Sequence, residues 1–329
     1  MERYGEEIMG KMTAFQQSRI ILTGAELDIF TRLDGTAATA AALSKESGCD
    51  TRAMERLLDA LASLALLKKE GGLFSLSDQG KLLSSGHPET ILPMVLHLNE
   101  LWERWSGLTE VVRTGKPAER AGGEKGDANR RAFIGAMHAV GRNLATETGR
   151  AFDAGRFSRL LDIGGGSGTY TIAFLRPNPA MTAVLFDLAS VIPMAAERLQ
   201  AEGLADRVTL AAGDFYRDEL PSGCDLALLS AIIHQNSPAQ NLDLFRKIFR
   251  ALHGGGSILI RDHIMDESHT SPPSGAIFAV NMLVGTAGGG TYTFGEIKEG
   301  LETAGFAGVR LVRPGTGEMD GLVEAKKPG

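Results

Sequence analysis

The stretch Leu160-Leu-Asp-Ile-Gly-Gly-Gly-Ser-Gly-Thr-Tyr-Thr-Ile-Ala173 places four glycines between an apolar run and a helical one. Glycines in such a turn let backbone approach a ligand closely. The spacing is not that of a nicotinamide or flavin site. G-x-G-x-x-G counted from Gly164 and Gly166 ends on Thr169, and counted from Gly166 and Gly168 it ends on Thr171. Asp162, inside the strand just before the glycines, argues the same way, because a carboxylate suits a cation at this turn and not a pyrophosphate. Asp187 follows Gly168 by 19 residues, at the end of the next apolar run. A carboxylate there can hold both hydroxyls of a ribose. Gly213-Asp-Phe-Tyr216 follows the third run, where Asp214 can accept from an adenine amino group and Phe215 can pack on the ring face. Each alone also reads as a turn or core residue. Together and in order they describe a site for an adenosine.

Short apolar runs at 160–163, 183–186, 208–211, 226–229, 258–261, 309–312 and 321–325 predict the strands that position these residues. Helices are expected between them, at 191–201, 241–252 and 293–304 among others, which is the pattern of a mostly parallel α/β sheet. The last two runs are joined only by the short 314–320 link, so an antiparallel hairpin should finish the sheet. Before residue 116 the texture differs. A densely apolar helix is expected over 12–33, then a helix after Thr36–Thr39 and a helix 51–67 capped by Asp50. A two-stranded wing around Gly71-Gly72 follows. This is a winged-helix pattern, and such domains often bind DNA through their second helix. Here that helix sets Arg52 and Arg56 against Glu55 and Asp59 amid Leu57, Leu58, Leu61, Leu64 and Leu66. A structural or pairing role is therefore expected. A helix over 89–113, a glycine-rich loop over 115–129 and a helix over 127–152 complete the chain, divided as a helical domain 1–115 and an α/β domain 116–329. The helix 127–152 links the two and lines the pocket.

The 329 residues carry 34 Lys and Arg against 40 Asp and Glu, a net charge of −6, which gives no general attraction to nucleic acid or anionic lipid. Glycine is abundant, at 41 residues, and aromatic residues make up only 6%. Cys49 and Cys224 lie far apart without histidine neighbours, so no disulfide framework, zinc site or other metal centre is expected and a reducing cytoplasm fits. The stretch MERYGEEIMGKM has no basic segment leading into an apolar run, and no apolar stretch approaches a membrane span.

LLDIGGGSG, DRVTLAAGDFY with its following LP, and AIIHQN together resemble the class I S-adenosylmethionine-dependent methyltransferases. Within them the chain looks like the small-molecule O-methyltransferases with a winged-helix dimerisation domain, of the plant caffeate, acetylserotonin and bacterial hydroxyneurosporene types. The resemblance covers nearly the whole chain. It implies a Rossmann-like seven-stranded sheet, a homodimer formed through the N-terminal domain, and S-adenosyl-L-methionine as cofactor. Gly164, Gly165 and Gly166 with Asp162 would surround its methionine part, Asp187 and Leu188 its ribose, and Asp214 with Phe215 its adenine. The family's general base matches His234, and imidazole is suited to take a proton from a hydroxyl near neutral pH. The acidic residue that holds the base matches Asp262; a loop cap and a turn cap are the competing readings of the two. His263 alternates to the other face and is expected at the surface.

The chain departs from the pattern in places. Gln235 and Asn236 stand where the family often has Asp and an aromatic residue. Ser230, at the cofactor end, stands where the plant type has Lys, and Thr291 where it has a second Glu. The missing Glu leaves C-methylation of a pigment-like ring as an alternative to O-methylation, and a winged-helix regulator or a dehydrogenase as alternatives of other classes. Trp105, Phe133, Met137, His138, Phe278, Asn281 and Met282 are the expected pocket lining. Their mix of aromatic, thioether and amide groups suits a flat, mainly apolar acceptor with a polar edge, aromatic or polyene-like.

Overall fold

The computed structural model describes residues 2–117 and 127–329, and their side chains except at 2–3, 127–133, 136 and 139–140. Most of the glycine-rich loop expected over 115–129 therefore lies outside the described residues. Two compact units emerge, one of 1–103 with 135–140 and one of 104–134 with 141–329.

In the first unit the strands β1 (Ala37–Thr39), β2 (Leu67–Glu70) and β3 (Leu73–Leu76) form an antiparallel sheet in the order β1-β3-β2. The wing thus has a third strand that the sequence reading missed. The expected helix over 12–33 is broken: Phe15–Glu26 and Ile29–Arg32 are separate because Asp28 adopts a left-handed backbone, with φ +58°. The helix expected over 89–113 is likewise divided, into Leu92–Ser106 and Leu108–Thr114 at Gly107. The Asp50 cap falls where expected, and Thr39 supplies a second. Thr39 Oγ1 accepts from the Ala42 amide, and Asp50 Oδ1 from the Ala53 amide at 2.8 Å, starting the helices Ala40–Ser47 and Thr51–Ser63. Met54, Leu58 and Leu61 of the latter are buried against Phe30, Leu43 and Phe74, so burial consumes its apolar stripe.

The second unit is built on a seven-stranded sheet: β4 (Arg159–Ile163), β5 (Thr182–Asp187), β6 (Val208–Ala212), β7 (Cys224–Ser230), β8 (Leu252–Asp262), then β11 (Ala307–Arg313) and β12 (Gly321–Lys326). Their spatial order is β11-β12-β8-β7-β4-β5-β6, parallel from β8 to β6 and antiparallel in the β11/β12/β8 part. Apolar side chains alternate to two cores. Leu161, Ile163, Leu229 and Ile260 meet Leu244, Phe245 and Ile248 on one face, and Leu160, Leu228 and Leu259 meet Phe174, Leu175 and Leu199 on the other. Burial on both faces explains why these strands read as continuous apolar runs. Gly254–Gly256 lie inside β8, where the register against β7 is irregular. A short parallel pair, β9 (Ile264–Met265) with β10 (Tyr292–Thr293), was not foreseen because two residues carry no periodic signal. Among the described residues no helix is long and apolar enough to cross a membrane.

The chain builds β4, β5 and β6 outward, then returns to place β7 on the other side of β4. Ligands of such sheets bind at the carboxyl ends of strands flanking this reversal. Asp162 lies at that end of β4, buried, accepting a hydrogen bond from Thr171 Oγ1 at 2.6 Å. Burial pushes its carboxyl up to about 6, against the Thr171 hydrogen bond and with help from the Asp187 charge. The folded state thus binds a proton that the unfolded state, near the ordinary 3.8, has released. Stability should be full below that value and fall as pH rises through the window up to about 6. Asp162→Asn keeps an acceptor for Thr171 and removes this slope. In cofactor-free protein the variant should melt above the wild type at pH 8 and the gap should close toward pH 4; an equal difference in Tm at both pH values would contradict the assignment.

Candidate active site

After Ile163 the chain turns through Gly164, with φ +69°, and Gly166, with φ +57°, and Gly168 begins the helix Thr169–Leu175. A Cβ on Gly164 would lie 2.6 Å from Ile232 Cδ1 and 3.7 Å from Phe215 Cε1. The loops after β7 and after β6 therefore meet at this bare backbone. On Gly165 a Cβ would stand 2.7 Å from Leu185 Cγ and 3.0 Å from Asp162 Cγ, so the turn closes directly over the buried acid. Asp187 Oδ2 accepts from the Gly166 amide at 2.8 Å, and its Oδ1 from the Leu188 amide at 2.7 Å. Each carboxylate oxygen has a further acceptor site, so Asp187 can be held by the loop and still receive hydroxyls. Leu188 is exposed beside it.

Past β6, Asp214 Oδ1 accepts from the Tyr216 amide at 2.9 Å, the turn role that competes with a ligand role for this residue. The ring of Phe215 reaches Gly164 and lies 4.6 Å from that of Tyr216. Lys247 Nζ, from the helix Pro238–Ala251, donates to the carbonyls of Phe215 and Asp218 at 2.8 Å each. Three successive strand ends thus present carboxylates, a ring and backbone to one place. That donor set fits an adenosine carrying a positive charge, and it would repel a pyrophosphate.

At the end of β7 Ser230 Oγ accepts from Arg261 Nε at 2.7 Å. Arg261, only 5% exposed, also donates to the Met319 carbonyl and lies over the Tyr170 ring. Ala231 then takes a left-handed backbone, φ +58°, which costs a non-glycine residue about 1–2 kcal/mol. That turn swings the chain into the short 3-10 helix Ile233–Gln235 that carries His234. Its Nδ1 lies 2.9 Å from Asp262 Oδ1 and 3.0 Å from Oδ2. Burial would push the Asp262 carboxyl up. His234, by charge and hydrogen bond, outweighs this together with Arg261 and the His263 amide, holding the carboxyl below its ordinary range. An ionised carboxylate only accepts, so the contact is made by an Nδ1 that carries a hydrogen.

The Phe278 ring meets His234 edge-on, centroids 4.9 Å apart, and His263 lies at the same distance from it. His263 is not at the surface. It is 6% exposed, because β9 carries the chain on under the helix Pro273–Gly285, where Gly275 and Phe278 cover the imidazole. Burial lowers its pKa.

Trp105 Nε1 donates to Asn281 Oδ1 at 3.0 Å, so the expected aromatic and amide come together. Met282 shares the helix of Asn281 and is half-buried. Met137, exposed, and His138, half-buried, lie on the helix Asp127–Ala151 in the stretch grouped with the first unit, and the side chain of Phe133 is outside the described residues. Arg261, Tyr216 and Tyr292 were missed as contributors. A charged residue in the apolar run SILIRD and a tyrosine directly after Phe215 were the available signals.

An O-methyltransferase domain matches residues 105–307, and an O-methyltransferase dimerisation domain matches residues 9–86. The tetracenomycin polyketide synthesis 8-O-methyl transferase TcmO of Streptomyces glaucescens is 30% identical, over 98% of this chain and 96% of its own. The 3-hydroxy-5-methyl-1-naphthoate 3-O-methyltransferase of Streptomyces sahachiroi is also 30% identical, over 96% and 93%. Human N-acetylserotonin methyltransferase in complex with SAM superposes with a TM-score of 0.86 at 23% identity, over 100% and 99% of the two chains. The chain is a member of the S-adenosylmethionine-dependent small-molecule O-methyltransferase family that carries the O-methyltransferase dimerisation domain.

Proposed function

We propose that the protein methylates a hydroxyl of a small, mostly apolar acceptor, aromatic or polyene-like, with His234 as general base and Asp262 as the group that holds it. The contact of both Asp262 oxygens with His234 Nδ1, at 2.9 and 3.0 Å, carries this reading. When bound, the cofactor supplies a methyl group on a positively charged sulfur, already activated for displacement. The chain's own task is then to align the hydroxyl and to take its proton. Nε2 accepts that proton, and the fixed negative charge of Asp262 offsets the imidazolium that results. Asp162 and the glycines from Gly164 to Gly166 hold the methionine part of the cofactor, Asp187 and Leu188 its ribose, Asp214 and Phe215 its adenine, with Ser230 close by.

An apolar acceptor accords with Phe278 against the base and with the Trp105–Asn281 pair, which supplies an aromatic surface and an amide edge. The names of the two Streptomyces relatives, a polyketide-synthesis enzyme and a hydroxynaphthoate methyltransferase, lie within the same class. Trp105, Phe278, Asn281 and Met282 are the acceptor-lining residues of this reading.

Pairing of two copies through the N-terminal unit belongs to the same proposal. The helix Glu2–Thr13 exposes Tyr4, Ile8, Met9 and Met12, each more than half uncovered, and Phe15 follows them. An apolar stripe of that kind marks a protein contact surface. Ile8→Asp with Met12→Asp should move the protein from dimer to monomer in sedimentation velocity; an unchanged sedimentation coefficient would place the interface elsewhere.

With an acceptor found by screening hydroxylated polycyclic aromatics, His234→Ala should lower turnover by about 10²-fold or more. Its affinity for S-adenosylhomocysteine, read by calorimetry, should stay near the wild-type value. Asp262→Asn keeps the shape and removes the charge, and it should cost at least about tenfold. Wild-type turnover by His234→Ala would remove the base assignment.

A further inference from the structure

Asn236 stands two residues after His234 and is fully buried, at 0% exposure. Its amide is committed on both sides. Asn241 Nδ2 donates to the Ile233 carbonyl at 2.9 Å, which turns Asn241 Oδ1 toward Asn236 Nδ2, again at 2.9 Å. With its nitrogen fixed in that way, Asn236 Oδ1 faces the hydroxyl of Tyr216 and accepts from it at 2.5 Å. The Asn236 carbonyl accepts from the Tyr292 hydroxyl, and the His234 carbonyl from the Gly290 amide at 2.8 Å. A Cβ on Gly289 would come within 2.5 Å of that same His234 oxygen, so the glycine run 288–290 lies flush against the loop.

Tyr216 belongs to the other side of the site. It follows Phe215, their rings 4.6 Å apart, in the turn that Asp214 closes and Lys247 ties to the helix beyond Asn236. Tyr216 is 48% exposed, yet its hydroxyl reaches the buried amide. A Phe or Trp at 236 could not both accept from Tyr216 and donate to Asn241.

We propose that Asn236 and Tyr216 are a positioning pair that joins the adenine-side loop to the base-bearing loop, so that cofactor placement and His234 placement are set together. Neither residue is a catalytic residue. The effect on turnover rests on the reading of His234 as base; the effect on cofactor affinity does not need it. Tyr216→Phe keeps the ring beside Phe215 and leaves the Asn236 oxygen buried without its donor, a loss worth roughly tenfold.

The test is a double-mutant cycle with Tyr216→Phe, Asn236→Ala and both together, reading kcat, acceptor KM and S-adenosylhomocysteine affinity by calorimetry. Tyr216→Phe should lower kcat roughly tenfold with acceptor KM unchanged, because the hydroxyl is spent on Asn236. Asn236→Ala should weaken S-adenosylhomocysteine although it lies in the other loop. The double variant should be no worse than Asn236→Ala alone. Additive losses would overturn the link, as would Tyr216→Phe with wild-type kcat and wild-type S-adenosylhomocysteine affinity. If Asn236→Ala does not fold, Tyr216→Phe decides by those same two readings. A His234→Ala enzyme that still turns over would remove the base and leave the calorimetric arm of the cycle intact.

Discussion

An ionised carboxylate that is 1% exposed must find charged or donating partners, or else take up a proton. Asp262 finds them in His234 Nδ1, the His263 amide and the neighbouring Arg261. That requirement orders much of the surrounding structure. β8 must deliver the acid at its carboxyl end, and β7 must deliver the imidazole from the adjacent strand, which the pairing of Ser230 with Arg261 does. The left-handed turn at Ala231 then lifts the chain so that His234 comes back over Asp262. Backbone strain at such a position is tolerated where the surroundings over-determine it. Here they do: the Ala231 amide bonds to the Arg261 carbonyl, Ile232 packs on Gly164, and Gly290 holds the His234 carbonyl.

The same geometry explains why the glycine turn after β4 and the loop that carries His234 are not separable. A side chain on Gly164 would displace Ile232, so the two loops keep their spacing together. Asp162 adds an electrostatic condition below the turn. Its carboxyl is raised by burial, whereas that of Asp262 is lowered by its partners. Two buried acids, at the ends of the strands that flank β7, are thereby driven in opposite directions, one toward neutrality beside a hydroxyl and one toward ionisation beside an imidazole.

Much of this was legible in the sequence because it rests on short-range patterning. Continuous apolar runs marked the doubly covered strands, and the 314–320 link marked the closing hairpin. Thr39 and Asp50 marked helix starts. The order of Asp162, the glycines, Asp187, Asp214 and Phe215 followed from where strand ends fall. What escaped depends on long-range contact. His263 alternates away from Asp262, and only the return of the helix Pro273–Gly285 buries it. Arg261 looks like a charge in the wrong place until Ser230, Tyr170 and Met319 surround it. Asn236 reads as a loop residue, and its role follows only from Tyr216, 20 positions earlier, and Tyr292, 56 positions later. The broken helix at Asp28 shows the converse, an apolar pattern that continues while the backbone does not.

The proposed dyad makes one statement about a single hydrogen. With Asp262 ionised against Nδ1, neutral His234 must carry its proton on Nδ1 and leave Nε2 bare. Magnetic resonance of isotope-labelled imidazole nitrogens, on the protein saturated with S-adenosylhomocysteine, reads that tautomer directly. The dyad predicts a protonated Nδ1 and an unprotonated Nε2 for His234, with the preference lost in Asp262→Asn. A His234 protonated on Nε2 with Nδ1 bare would contradict it.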